Sequence, residues 1–95
     1  MHVGICQVEL RLPENQSLKG KRQVVKSIIA RLQNTYKVSV AEVDNQELWQ
    51  LTTLGIACVS NQRRHADDTL SNVVRFIVRN YPDVELLRSE IETLP

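Results

Sequence analysis

Ninety-five residues, 42% of them apolar and 24% charged, have the balance of one soluble globular domain spanning 1–95. No stretch approaches the ~20 apolar residues of a membrane-spanning helix, and residues 1–10 lack the basic start and apolar core of a signal peptide, so a cytoplasmic setting is the expectation. The net charge of +1 conceals an asymmetry: residues 1–41 carry seven cations and two anions, residues 42–95 five cations and nine anions. Such a split implies a polyanionic partner for the first part or self-complementary association.

Residues 3–12 alternate, with Cys6, Val8, Leu10 and Leu12 on one face and Gln7, Glu9 and Arg11 on the other. That is the pattern of a half-buried strand, which Pro13 ends; residues 13–16 form a loop. Ser17 is placed to cap a helix over 17–36. Leu18, Val25, Ile28, Ile29 and Leu32 fall on one side of it at ~100° per residue, and fraying is expected near Asn34. From Ser17 to Lys37 there are six cations (Lys19, Lys21, Arg22, Lys26, Arg31, Lys37) and no Asp or Glu. Lys21 is in phase with the apolar stripe, so its head is expected to leave over the end of the domain.

Residues 37–43 read as a second strand whose broken apolar phase implies a bulge or two apolar faces. Residues 44–47 are turn-prone, and Trp49 and Leu51 follow. The apolar run 54–59 has the pattern of a central strand. Ser60 and Asn61 open a second helix with Ala66, Leu70, Val73, Val74 and Ile77 as its stripe, stopped at Tyr81-Pro82. A last strand begins over 84–87 and extends toward Ile91.

The order β-α-β-β-α-β predicts an α+β ferredoxin-like sandwich: a four-stranded antiparallel sheet, order 4-1-3-2, with two helices on one face. This topology brings the start of the first helix beside the 44–50 hairpin. Lys19, Lys21, Arg22 and Lys26 become candidates for an anion or RNA site, against a plain solvated face with Asp44 or Glu47 pairing some of the cations. Trp49, Glu47 and Gln50 are candidate partner contacts. For Trp49 itself, core or rim packing at the hairpin is favoured over a partner anchor or a base-stacking platform. Arg63, Arg64 and His65 form a second basic cluster at the opposite end, read as first-turn residues offset by Asp67 and Asp68.

The two central strands have no aromatic residue, so base stacking on the sheet, as in RNA-recognition domains of this topology, is not expected. Their apolar open face predicts homodimerisation instead. Cys6 and Cys58 read as reduced, buried thiols, and two cysteines with two histidines show no metal-ligand spacing. No cofactor motif is present. Nor is there a Ser/His/Asp set, a paired Cys and His, or a phosphate-cradling glycine motif, so an enzyme is the less favoured reading and a small phosphate-binding enzyme its residual form.

The segment Ser17-Leu18-Lys19-Gly20-Lys21-Arg22, with Val40-Ala41-Glu42-Val43, Leu48-Trp49-Gln50 and Val59-Ser60-Asn61 followed by Arg63-Arg64-His65, resembles the YlxP-like family, a bacterial family with a domain of unknown function. The resemblance covers nearly the whole chain. Glu47 stands where the family more often has Asp. The resemblance implies a ferredoxin-like fold. Genes of the family often neighbour those for ribosome-binding factor A and a translation initiation factor, which implies a role in translation or ribosome maturation. The expected function is thus a small accessory protein that associates with RNA or the ribosome through its basic first helix, with a homodimeric protein-interaction module as the alternative.

Overall fold

A computed structural model describes all residues, Met1 to Pro95. The elements are β1 (His2–Arg11), α1 (Leu18–Tyr36), β2 (Ser39–Asp44), β3 (Leu51–Ser60), α2 (Arg63–Asn80) and β4 (Glu85–Leu94). The strands form one antiparallel sheet in the order β2-β3-β1-β4, which read from the other edge is the expected 4-1-3-2. The chain therefore has the ferredoxin-like architecture, an α+β sandwich.

Alternation in β1 produces the two faces. Gly4, Cys6, Val8 and Leu10 are buried beneath the helices, while Ile5 and Gln7 point to the open side. The core joins Cys6, Val8 and Leu10 to Leu54 and Ile56 of β3, to Val25, Ile28 and Leu32 of α1, and to Leu70, Val73 and Ile77 of α2. Each fully buried branched side chain contributes ~1.5–3 kcal/mol of hydrophobic stabilisation. Close approach of α2 depends on Gly4, where a Cβ would meet Leu70 Cδ1 at 2.8 Å. Lattice-like packing of this kind leaves no room for an added methyl without displacement.

α1 starts where expected: the Ser17 hydroxyl accepts from the Gly20 amide at 2.9 Å. It does not fray at Asn34. It runs to Tyr36, and Lys37 in the left-handed region (φ 56°) closes it with an amide bond to the Gln33 carbonyl. The helices are joined outside the core by a polar-aromatic stack. Arg31 lies 5.0 Å from the ring centre of Phe76 and 5.3 Å from that of Tyr81, Tyr36 meets Phe76 edge to face, and the Ser27 and Tyr81 hydroxyls share a 2.8 Å bond. Arg31 is thus a structural cation.

The broken phase of β2 is a bulge at Val43, where the register shifts between Glu42 and Asp44. β3 is longer than its apolar run, since Leu51, Thr52 and Thr53 also pair with β1. β4 continues past Ile91 to Leu94, with its own register shift opposite Glu9 and Leu10. α2 begins at Arg63 rather than at Ser60, because Ser60 completes β3 and Gln62 takes the capping position.

Candidate functional site

The end of the domain that holds the start of α1 also holds the β2–β3 hairpin, and one side chain joins them. Lys21 lies on the buried side of the first turns of α1, in line with Val25, Ile28 and Leu32, and has no solvent exposure. Its Nζ donates to the carbonyls of Asn45 (2.7 Å), Gln46 (3.0 Å) and Leu51 (3.2 Å) and sits 3.0 Å from Glu42 Oε2. The same carboxylate oxygen accepts from the Thr52 hydroxyl at 2.6 Å. The expectation that the Lys21 head leaves over the domain's end is therefore overturned. An ammonium beneath a helix needs oxygen partners, and the hairpin backbone supplies three. Lys21 is not available to bind an anion.

The hairpin is held in other ways too. Asn45 adopts φ 64°, donates its side-chain amide to Thr53 Oγ1 at 2.8 Å, and accepts from the Leu48 amide across a four-residue turn. The Asn15 side-chain amide donates to the carbonyls of both Ser17 and Trp49, each at 2.6 Å. Gln50 Nε2 donates to the carbonyls of Asn15 (3.0 Å) and Pro13 (3.3 Å). The Gln50 carbonyl in turn accepts from the Leu12 amide at 2.8 Å. Gly20 is part of this fit, since a Cβ there would lie 2.4 Å from Asn15 Oδ1. The loop after β1, the helix cap and the hairpin form one hydrogen-bonded unit.

On that frame sit the remaining candidates. Lys19, Arg22 and Lys26 are exposed, spaced three and four residues apart on one side of α1, and none has a carboxylate within 4.0 Å. The expected pairing with Asp44 or Glu47 does not occur; the two ion pairs of the chain are Lys21–Glu42 and Arg88–Glu90. Trp49 is 55% exposed, so of the two packed positions expected for it the core is excluded and the rim of the hairpin is left. Its indole borders a cleft of about 470 Å³ shared with Arg11, Leu48, Gln50 and Leu51. Glu47 is exposed at the tip of the turn.

Arg63, Arg64 and His65 are exposed in the first turn of α2, at the far end. Asp67 and Asp68 make no ion pair with them, and Asp67 instead accepts from the Thr93 hydroxyl of β4. The two basic clusters do not form one surface.

On the open side of the sheet, the small residues Ser39, Ala41, Gly55 and Ala57 floor a groove of about 880 Å³ beside Ile5 and Val43, with Glu90 and Glu92 along the β4 side. Both cysteines are free thiols on the adjacent central strands. Burial pushes the Cys6 thiol up to about 11, and burial also raises Cys58. No helix is long and apolar enough to cross a membrane.

The residues that sequence reasoning missed are Asn15 and Glu42, and Gln50, expected as a partner contact, instead ties the hairpin to the loop after β1. A polar residue in a short loop and an acid in a strand have no periodicity to mark them. The one signal was a lysine in phase with an apolar stripe, which requires an acid or carbonyls nearby if its head stays inside.

Known proteins share the fold and the family of this chain. Two designed proteins share the fold: Foldit4 (TM-score 0.55, 13% identity, 100% of this chain and 98% of that one) and the ferredoxin-fold design LFR1 1 (TM-score 0.55, 12% identity, 99% and 84%). A C-terminal segment of the alpha subunit of aIF2 from Pyrococcus abyssi also matches (TM-score 0.54, 13% identity, 97% of this chain and 49% of that one). At these identities the likeness is one of fold alone. The protein "Uncharacterized protein YlxP" of Bacillus subtilis (strain 168) is 39% identical over 83 residues, 87% of this chain and 89% of that one. With residues 3–91 also matching the family model described as "Protein of unknown function (DUF503)", the chain belongs to the YlxP-like DUF503 family.

Proposed function

We propose that this domain is a small cytoplasmic accessory protein that binds RNA, free or within the ribosome, through the start of α1. The observation that carries the reading is the set Lys19, Arg22 and Lys26: three exposed cations on one side of a helix with no carboxylate within 4.0 Å. Cations left unpaired at the surface release condensed counterions when they meet phosphates, and that release drives association. The translation setting that the family resemblance implies points the same way. Three phosphate contacts to a single strand give a slope of log affinity against log salt of about −2, and each of Lys19→Ala and Arg22→Ala reduces it by about 0.7. Absence of RNA binding in low salt overturns the reading.

A second reading rests on the sheet. Ile5 and Val43 are exposed on its open side at the groove floored by small residues, and Val59 is exposed further along β3. An apolar face of this kind supports a homodimer formed through the open sheet. Light scattering that finds a monomer at high micromolar concentration overturns it.

A further inference from the structure

The hairpin spends many hydrogen bonds to hold one large apolar side chain in water. The Trp49 carbonyl is bound by Asn15, the backbone of the next residue by Leu12, and the preceding turn and following strand by Lys21. The indole above this frame is nevertheless 55% exposed. It borders a cleft whose other walls are Leu48, Leu51, Gln50 and the guanidinium-bearing Arg11. Arg11 makes no ion pair. The Asn15 amide that holds the Trp49 carbonyl also holds that of Ser17, so the indole's backbone is one side chain away from the cap that leads into Lys19 and Arg22.

From this arrangement we infer that the cleft beside Trp49 is a stacking site for an unpaired base of single-stranded RNA, with the neighbouring phosphates on Lys19 and Arg22. The inference rests on the proposed RNA binding and names the class of RNA. A planar indole on a fixed backbone loses little conformational freedom when a base stacks on it, and stacking is indifferent to base identity because every base has a π-face. The Arg11 guanidinium supplies a second planar group, and a positive charge, at the same cleft. A paired base inside a duplex cannot reach the indole face. Glu47 at the turn tip and Glu14 in the loop before α1 are both exposed.

Trp49 is the sole tryptophan, so its fluorescence reports this site alone. A short oligoadenylate is titrated into the full chain at low salt, beside an RNA duplex of equal length, and the titrations are repeated by anisotropy of labelled RNA with Trp49→Phe and Trp49→Leu. Stacking predicts quenching of Trp49 by oligoadenylate, weaker binding of the duplex, near-retention of affinity in Trp49→Phe, and a loss of about tenfold or more in Trp49→Leu. Trp49→Leu keeps apolar bulk at an exposed position, and circular dichroism verifies its fold. If single strand and duplex bind alike, without quenching and with Trp49→Leu unimpaired, the stacking site is overturned and the phosphate reading stands. If neither RNA binds at low salt, both are overturned.

Discussion

Replacing Lys21 by Met tests the organisation of the site most directly. The change keeps the length of the side chain and removes the ammonium. It strips a donor from the carbonyls of Asn45, Gln46 and Leu51 and leaves Glu42 with Thr52 as its remaining partner. Breaking a buried pair by removing one member costs ~3–5 kcal/mol, because the other charge stays behind uncompensated. Glu42 retains 16% exposure of its side chain, so water offsets part of that and the lower end, about 3 kcal/mol, is the expectation. A domain of this size has roughly 5–14 kcal/mol in total, so the loss is a large share. With a urea m-value of about 1–1.5 kcal/mol/M, the midpoint falls by about 2–3 M. Unfolding is followed by circular dichroism and, separately, by Trp49 fluorescence, which reports the loosened hairpin. Adding Glu42→Gln to Lys21→Met removes the stranded charge and recovers about half of the loss. A Lys21→Met protein within about 1 kcal/mol of the parent, or a double variant no more stable than the single one, refutes the assignment of Lys21 as the strut between α1 and the hairpin.

Two other outcomes follow from the same frame. Gly20→Ala gains up to ~1 kcal/mol of helix propensity, but in the parent its Cβ displaces the Asn15 amide from the Ser17 and Trp49 carbonyls; the gain therefore emerges only in an Asn15→Ala background, and equal stabilisation in both backgrounds by chemical denaturation counts against the contact. Burial raises the Cys6 thiol to about 11 in the folded chain against an ordinary value of 9.0. The folded state therefore holds this proton more tightly: the contribution is fully present below pH 9 and is lost as pH rises toward 11, by up to roughly 3 kcal/mol. Cys6→Ala should flatten that part of the stability–pH curve, and an unchanged slope places the thiol outside the core.

Much of the architecture was legible because it depends on period. Alternation in β1 and the ~100° stripes of α1 and α2 report which side of each element loses water, and that side is the core in the structure. The bulge in β2 was visible for the same reason, as a break in phase at Val43. The extent of β4 was not. Residues 88–93 are mostly polar and exposed, and they form a strand because β1 offers them a continuous row of amides and carbonyls. Trp49 was read as packed since large aromatics usually bury their rings; here Asn15, Gln50 and Leu12 hold its backbone at the surface.

The acid-free stretch over 17–37 is the place where the two levels separate. Sequence by itself determined that six cations stand together without a counter-charge in the chain around them. It determined the helix that carries them and the end of the domain at which Lys19, Lys21 and Arg22 stand. Only the tertiary structure decided how they divide. Lys21 is consumed by the hairpin and Glu42, and Arg31 by two aromatic rings, while Lys19, Arg22 and Lys26 stay free together at the start of α1 and Lys37 stays exposed at its other end. The reason is physical. Charge is a property of a residue, whereas the availability of a charge depends on which oxygens and rings the fold brings within a few ångströms of it, and here those come from residues at least twenty positions away.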